Sequence, residues 1–325
     1  MRVFITGAAG FIGRNLPASF RKLGHSIVSD DRAKMQTTSK GEPCVHKNSQ
    51  EQWINFFNDL EVDLVVHNAA VVGTDVVALN QKESTLTNVM GTHNICQAAK
   101  AVGIPVCYMG TSVIYDTPSY QNEAITETSN IEPSTFYGAQ KLSGEYIVKS
   151  TVKDWLIMRP LFAYGGVGDM NSLIAKTFYA CKNRKDHIDM FLDPKKCKDY
   201  MHVEDFCDAV ALACSKGLWG NDYNVSAEEP INTWSIIDKM SGVCGQELEY
   251  MINWHPETDY LGNHILSSEK FRKKTGWTPK YTFDRGLIKS WRSILSAGDN
   301  YNPLLHLEEA QKKGIYLNQF FPKKM

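Results

Sequence analysis

Short apolar runs alternate with amphipathic helical patterns along the first half of the chain. The apolar runs are rich in β-branched residues, which predicts strands at 2–6, 26–29, 62–70, 105–111 and 155–160. Between them, apolar residues recur every three or four positions, which predicts helices at 11–24, 50–60, 85–103 and 137–150. This alternation predicts an α/β fold with a doubly wound parallel sheet, covered on both faces by helices.

The alternation weakens after about residue 165, where loops lengthen and Trp, Pro and Asn become more frequent. We therefore expect a sheet domain at 1–165 and a smaller lobe at 166–325. The lobe should pack on the strand ends, where open α/β sheets bind ligands. Within it, residues 199–226 are expected to return to the sheet domain.

Composition argues against several classes of function. Hydrophobic residues make up 43% of the 325 residues and charged residues 22%, as in ordinary globular proteins. The formal net charge is −1, so no overall field would recruit nucleic acid or an anionic membrane. No apolar run approaches the roughly 18 residues of a membrane span. We expect neither nucleic acid nor membrane as a partner.

The cysteines indicate the cellular compartment. Eight cysteines occur without C-x-x-C or paired Cys/His spacing, so we expect reduced thiols and no metal site. The first residues, "MRVFITG", have a strand pattern rather than that of a signal peptide. Both observations predict a cytoplasmic protein.

A glycine-rich turn joins the first strand to the first helix in "TGAAGFIG". Gly7 permits a tight turn, Gly10 lets the backbone approach a pyrophosphate, and Gly13 lets the helix pack closely on the strand. Free N–H groups at the helix start attract an anion. The sequence therefore predicts a Rossmann-type domain that binds a dinucleotide. The residues expected to bind it are Gly7, Gly10, Phe11, Ile12 and Gly13.

The end of the second predicted strand, "SDDR", bears on the choice of dinucleotide. An acidic residue there accepts hydrogen bonds from the ribose hydroxyls and repels a 2′-phosphate, which makes Asp31 a candidate and favours NAD. Arg32 is a competing signal, because an arginine at this place can hold the 2′-phosphate of NADP. NAD is the prediction and NADP the alternative.

Tyr137 and Lys141, in "STFYGAQK", lie four residues apart and would share one face of a helix. With 14 tyrosines and 35 basic residues in the chain, chance alone produces about one or two such pairs. The pair Tyr281 and Arg285 is another example. Taken alone, the spacing fits both a catalytic pair and two unrelated residues on a helix surface.

Motifs elsewhere in the chain decide between these interpretations. In order, they are "TGAAGFIG" (6–13), "HNAA" (67–70), "NVMGT" (88–92), "GTSVIY" (110–115), "YGAQK" (137–141), "RPLFAYG" (159–165), "KDYMHVEDFCDAV" (198–210) and "KKTGWTPKYTFDRGL" (273–287). With these motifs the chain resembles the extended short-chain dehydrogenase/reductase family, the nucleotide-sugar epimerases and dehydratases. The resemblance implies dimerisation through the helices at 85–103 and 137–150.

The resemblance also implies roles for matching residues. Tyr137 would be the general acid/base, and Lys141 would hold the cofactor ribose and lower the pKa of the tyrosine. Thr111 would hydrogen-bond the substrate hydroxyl. The remaining candidates are Asn48, Ala69 and Ala70 for the cofactor and Ser112, Asn171 and Lys198 for the substrate. A helix cap is an equal interpretation of Asn171.

Departures from the family pattern narrow the chemistry. Relatives that dehydrate sugars carry Asp-Glu where this chain has Ser112 and Val113, and relatives that epimerise at C3 and C5 have a cysteine in place of Val113. Pro256 stands where many relatives have an arginine that grips the substrate diphosphate. Lys198 replaces an arginine and is a poorer bidentate partner.

The sequence hypothesis is therefore an NAD-dependent nucleotide-sugar epimerase, acting at C4 through a keto sugar. An NADP-dependent reductase of a keto sugar is the alternative. A regulatory protein that kept the fold and lost the chemistry is a third class, which the complete set Thr111, Tyr137 and Lys141 argues against.

Overall fold

A parallel sheet of six strands, in the order β2-β1-β3-β4-β5-β9, forms the centre of the described part of the chain. The structure is a computed structural model that describes residues 1–28, 35–37, 41–115, 123–165, 169, 172–183, 188–190, 192–248, 252–256, 259 and 262–296. The strands are β1 Arg2–Thr6, β2 Ser26–Ile27, β3 Leu64–His67, β4 Val106–Met109, β5 Trp155–Pro160, β6 Phe162–Tyr164, β7 Ile188–Met190, β8 Cys197–His202, β9 Asn221–Val225, β10 Pro230–Asn232 and β11 Ile252–Trp254. The predicted α/β fold is confirmed.

Helices cover both faces of this sheet, and each face has its own apolar core. The helices are α1 Phe11–Lys22, α2 Gln50–Asp59, α3 Thr74–Leu79, α4 Gln81–Thr85, α5 Thr92–Val102, α6 Phe136–Thr151, α7 Leu173–Lys182, α8 Val203–Ser215, α9 Thr233–Cys244, α10 Glu269–Thr275 and α11 Phe283–Ser296. One core joins α1, α8 and α10 to the sheet, and the other joins α2, α5 and α6. The central strands β3 and β4 are buried along their whole length, which explains their continuous apolar runs.

A third core lies outside the main sheet, in the second half of the chain. There α7, α9 and α11 pack together beside two small sheets, β10-β8-β6 and β11-β7. Between these elements the chain returns to the main sheet, because β9 pairs with β5 and α8 packs on α1. The division at residue 165 and the return at 199–226 stay predictions.

The helix expected at 85–103 is interrupted at its start. Leu86–Gly91 forms a π-helical segment, and α5 begins only at Thr92. Inside this segment Asn88 turns inward, where its amide accepts the Val71 N–H at 2.8 Å and donates to the side chain of Gln140 at 2.8 Å. The irregular turn thus ties the loop after β3 to α6. Such π segments often occur at functional sites.

The carboxyl ends of the central strands lie side by side. Thr6 is paired with His67, and His67 with Tyr108. The segments that follow these strands, beginning at Gly7, Asn68 and Gly110, therefore meet at one edge of the sheet. Every group of the predicted active site that the structure describes, apart from Asn48 and Lys198, lies on these segments, on α1 or on α6.

Candidate active site

The turn between β1 and α1 has the geometry of an anion site. Gly7 has a φ of +67°, and the Gly10 N–H donates to its carbonyl at 3.0 Å. A Cβ atom at Gly13 would lie 2.0 Å from the Gly7 carbonyl oxygen, so this close approach requires glycine. Gly10 caps α1 without a side-chain hydrogen bond, which leaves the first helical N–H groups to a ligand. The turn fits the diphosphate of a dinucleotide.

A carboxylate lies against this turn. The Ala9 N–H donates a hydrogen bond to the side chain of Glu42, and the Arg14 guanidinium donates to the Ala9 carbonyl at 2.7 Å. Glu42 therefore competes with a bound anion for a backbone donor of this turn. Its position also shows that the backbone donors at the turn attract an anion.

Replacing Glu42 by glutamine is expected to tighten cofactor binding. Glutamine removes the charge that competes with the diphosphate, so the Kd for NAD should fall about two- to tenfold. Calorimetric titration of NAD into each protein measures this change. The control is Glu51→Gln, the same substitution in the first turn of α2, which should leave the Kd unchanged. A weaker affinity for NAD after Glu42→Gln would contradict this interpretation.

A buried hydrogen-bonded chain fixes the loop after β3, where Ala69 and Ala70 lie. The Thr6 hydroxyl oxygen accepts the N–H groups of Asn68 at 3.0 Å and Ala69 at 2.9 Å, so its own proton goes to Nδ1 of His67 at 2.8 Å. His67 is neutral because burial, and then the charge of Lys141, lower its pKa to about 3.

The other ring nitrogen of His67 extends this chain. The Thr92 hydroxyl donates to a backbone carbonyl at 2.7 Å, so it accepts the proton on Nε2 of His67 at 3.0 Å. The result is a rigid loop close to the glycine turn, since a Cβ at Gly7 would lie 2.8 Å from Cα of Ala69. His67 begins the sequence motif "HNAA", whose pattern does not indicate this role.

Tyr137 lies in the first turn of α6 and is nearly buried, with 9% of its surface exposed. Thr135 caps this helix by accepting the Gly138 N–H at 3.0 Å, which fixes the position of the phenol. Burial raises the pKa of Tyr137 to about 12, and a hydrogen bond with the side chain of Thr111 acts in the opposite direction. Tyr137 and Thr111 are thus brought together, but burial has a larger effect on the pKa of the phenol than this hydrogen bond has.

Lys141 lies one turn further along α6 and is 3% exposed. Its ammonium nitrogen lies 4.2 Å from the centre of the Tyr108 ring, a cation–π distance. Burial lowers the pKa of Lys141 to about 7, although the charge of Glu145 acts to raise it. At neutral pH a small change in surroundings can therefore change its charge.

Thr111 follows β4, and its hydroxyl accepts the Val113 N–H at 3.3 Å at the start of a short 3₁₀ helix, Ser112–Ile114. The next side chain, Ser112, is buried and lies 3.0 Å from Nε2 of His264. Burial, followed by the charge of Lys198, lowers the pKa of His264 to about 3. Sequence analysis did not find His264, because nothing in its spacing indicates contact with a residue 152 positions earlier.

Lys198 is buried rather than open to a ligand. Its ammonium donates to the Asp259 carboxylate and to the Gly262 carbonyl, both at 2.8 Å. Asp259 is the aspartate three residues after Pro256, so the lysine and this acidic position pair with each other. Burial lowers the pKa of Lys198, and Asp259 opposes that shift.

Asn48 closes its own loop. Its side chain accepts the Gln36 N–H and donates to the carbonyls of Gln36 and Cys44, all at 2.8 Å. It is buried, and these bonds shape the segment that precedes α2. The other predicted contacts, Asp31, Arg32 and Asn171, lie outside the described residues.

In the described residues, no three His, Cys, Asp or Glu side chains form a group able to hold a metal ion. Among the helices that the structure describes, none is both long and apolar enough to span a bilayer.

A family model matches most of the region that carries the site. The model of the NAD dependent epimerase/dehydratase family matches residues 3–226. The chain belongs to this family. Membership in the NAD dependent epimerase/dehydratase family confirms the predicted extended short-chain dehydrogenase/reductase type, the predicted enzyme class and NAD as the predicted cofactor.

Relatives of the chain are named as nucleotide-sugar dehydratases, as nucleotide-sugar epimerases or as a probable glycan biosynthesis reductase. A dTDP-D-glucose 4,6-dehydratase of Dictyostelium discoideum is 24% identical over 274 residues, which cover 74% of this chain and 62% of that protein. The chain thus spans less than two thirds of that relative. A UDP-glucose 4-epimerase of Mycolicibacterium smegmatis is 23% identical over 312 residues, which cover 89% of this chain and 97% of that protein.

Solved structures show the same fold. RMD from Pseudomonas aeruginosa, complexed with NADPH, has a TM-score of 0.78 at 20% identity and covers 91% of this chain and 99% of its own. The UDP-glucose 4-epimerase of Thermus thermophilus, in complex with NAD, has a TM-score of 0.76 at 22% identity, with 92% and 100% covered. At these identities the likeness concerns the fold of the NAD dependent epimerase/dehydratase family.

Proposed function

We propose that the protein is an NAD-dependent epimerase of a nucleotide sugar and that it acts at C4 of the sugar. The observation that supports this most is the convergence of Thr111, Tyr137 and Lys141 at the sheet edge that also carries the glycine turn. Relatives that modify nucleotide sugars, among them UDP-glucose 4-epimerases, support the same substrate class.

Each residue has a defined task in this mechanism. The bound dinucleotide supplies the chemistry of accepting a hydride from the sugar carbon and returning it. Tyr137, as the tyrosinate, takes the proton of the sugar hydroxyl, and Thr111 hydrogen-bonds the same oxygen. Lys141 in its ammonium form holds the cofactor ribose and stabilises the negative charge of the tyrosinate. The protein retains the keto sugar until the sugar presents its other face to the cofactor, and Tyr137 then returns the proton.

The glycine turn and the loop after β3 would hold the cofactor. Gly7, Gly10 and Gly13 leave backbone donors and space for the diphosphate, with Phe11 and Ile12 at the helix start. Ala69 and Ala70 offer small side chains beside this turn. Asn48 would act on the adenine end through the shape of its loop, since its amide is engaged by backbone groups.

Dehydration is not part of the proposal, although several relatives are dehydratases. Elimination needs an acid and a base beside the reacting hydroxyl. This chain has Ser112 and Val113 there, and Ser112 is engaged with His264. The keto sugar therefore has no group at this point to drive loss of water.

Lys198 is the proposed contact for the substrate diphosphate. Lys198 is paired with Asp259, so a diphosphate would have to share its ammonium with a carboxylate. Asn171 and Ser112 are the other proposed substrate contacts. A one-way, NADP-dependent reduction of a keto sugar is the second candidate, and the arginine next to Asp31 is the observation that favours it.

Product analysis separates the two candidates. The purified protein with NAD is incubated in separate reactions with UDP-glucose, UDP-galactose and their dTDP counterparts. The sugars are then resolved by chromatography. Epimerisation is expected to give the C4 epimer from either side without net change in absorbance near 340 nm. Stoichiometric loss of NADPH with a keto sugar would instead identify a reductase. Formation of a 4-keto-6-deoxy sugar would contradict the role given to Ser112 and Val113.

We also propose a cytoplasmic homodimer. The eight free cysteines of each chain suit a reducing compartment. Helices α5 and α6 pack together, and two large side chains on or near them are exposed. Tyr146 is 62% accessible and Met90 is 47% accessible. Light scattering coupled to size exclusion tests the dimer, and a monomeric mass at micromolar concentration would contradict it.

A further inference from the structure

A buried ion pair lies behind the proposed active site, and none of the chemical steps above uses it. Arg159, near the end of β5, donates from Nε and Nη2 to the two oxygens of Glu145 at 2.9 and 2.7 Å. Both side chains are almost fully buried. Burying two charges is costly unless their geometry is good, and this bidentate pair has the geometry that compensates best.

The ion pair reaches both ends of the Thr111 segment, Gly110–Tyr115. A Cβ at Gly110 would lie 2.7 Å from Oε1 of Glu145, so the carboxylate lies directly against the backbone before Thr111. At the other end, Nη1 of Arg159 donates to the Tyr115 hydroxyl at 2.7 Å. One guanidinium thus contacts the end of the segment and, through Glu145, its beginning.

The same ion pair adjoins Lys141. Glu145 lies four residues after Lys141 on α6, so the two side chains share one face of the helix. In the described residues, electrostatic interactions link Lys141 to His67 from β3 and to Glu145 from its own helix, and a cation–π contact links it to Tyr108 from β4. Among these, Glu145 is the carboxylate.

We propose that Arg159 and Glu145 are positioning residues, which hold Lys141 and the Thr111 segment in the arrangement that the reaction needs. This inference rests on the proposed function for the steps that it affects, but the arrangement itself can be measured without substrate. Glu145 also favours the ammonium form of Lys141, because its carboxylate offsets part of the effect of burial.

The first test is Glu145→Gln, which keeps the shape of the side chain and removes its charge. Lys141 should then lose its proton at lower pH. A ¹³C NMR titration of lysine Cε, with the Lys141 signal assigned by its loss in Lys141→Met, should show the midpoint moving down by about one unit. In the active enzyme kcat should fall about 10- to 100-fold with little change in the KM for the sugar, and the alkaline limb of the kcat profile should move to lower pH.

A matched control removes a different carboxylate from the same arginine. Asp222 accepts from Nη2 of Arg159 at 2.9 Å, and Lys149 and Lys270 also contact it. Asp222→Asn should lower thermal stability, as Glu145→Gln does, and leave the Lys141 titration and the kcat profile unchanged. If both variants lose stability and neither moves the Lys141 midpoint, the pair is only structural and the inference is overturned.

The second test addresses the Thr111 segment and does not depend on removing a buried charge. Tyr115→Phe deletes the hydroxyl that Arg159 holds, so kcat should fall several-fold while the Lys141 midpoint stays that of the wild type. Unchanged kcat in this variant would overturn the role given to Arg159. Should Glu145→Gln fail to fold, Glu145→Asp replaces it, and its shorter carboxylate should give a smaller shift in the same direction.

The outcomes distinguish this inference from the proposed function. A wild-type protein without epimerase or reductase activity would contradict the proposed function, yet the NMR titration would still decide whether Glu145 controls Lys141. An active protein whose Lys141 midpoint is insensitive to Glu145 would contradict the positioning role alone.

Discussion

Replacing Tyr137 by phenylalanine is expected to lower kcat for the nucleotide sugar by about 100- to 10,000-fold, the usual contribution of one general acid/base. The substitution removes one oxygen atom from a side chain held by the cap of α6, so the fold and the affinity for NAD should remain. Rates of epimer formation under saturating substrate, together with a thermal melt, measure both effects.

The control for this substitution is Tyr281→Phe. Tyr281 also has a basic residue four positions later, Arg285, and its hydroxyl hydrogen-bonds to Glu204 and Lys289 rather than to the proposed site. We expect loss of stability of about 1 kcal/mol and less than a twofold change in kcat. Full activity of the Tyr137 variant would remove the general acid/base role and with it the proposed mechanism.

The second large effect is expected from Gly13→Ala. The added Cβ would meet the Gly7 carbonyl oxygen at 2.0 Å, and its neighbours within 3 Å are backbone atoms that cannot rotate away. Helix α1 must therefore shift from β1, which should lower the free energy of unfolding by about 1–3 kcal/mol. The same shift spoils the anion site, so the Kd for NAD should rise at least about tenfold.

A second glycine-to-alanine change provides the comparison. Gly242 lies within α9, and a Cβ there would meet no heavy atom of the described residues within 4 Å beyond the backbone of its own helix. Alanine at this position should stabilise the helix by about 0.5–1 kcal/mol and leave cofactor binding unchanged. Normal NAD affinity in Gly13→Ala would show that the turn is not the cofactor site.

The parts of the site that sequence analysis found are those built from local patterns. The turn Gly7–Gly13 and the pair Tyr137 and Lys141 each have a spacing with a direct structural meaning, a strand-to-helix turn and one helix face. The Thr111 position follows from its place at a strand end. Local spacing places these side chains because neighbours in the chain are also neighbours in space, whereas the roles of Thr111, Tyr137 and Lys141 follow from the resemblance to the family.

The parts that it did not find depend on distant contacts. Arg159 meets Glu145 and Tyr115 across 14 and 44 residues, and His264 meets Ser112 across 152. No spacing rule predicts which buried charge will lie next to which. Lys198 illustrates the same limit, because its position suggested a ligand contact, while its carboxylate partner Asp259 became visible only in the structure.

The electrostatics of Tyr137 differ from the family expectation for a related reason. The resemblance implies that Lys141 lowers the pKa of the phenol, but burial raises that pKa to about 12. Burial also brings the pKa of Lys141 down to about 7. Both shifts disfavour charge, and sequence patterns do not report how completely a pair is removed from water.

The way the chain is threaded limits how far the third core can move relative to the main sheet. In the described residues the backbone passes between them five times: after β5, after β8, after β9, before α10 and after α10. Any motion of one against the other must bend all five connections, so it should be smaller than the motion that a single connection would allow.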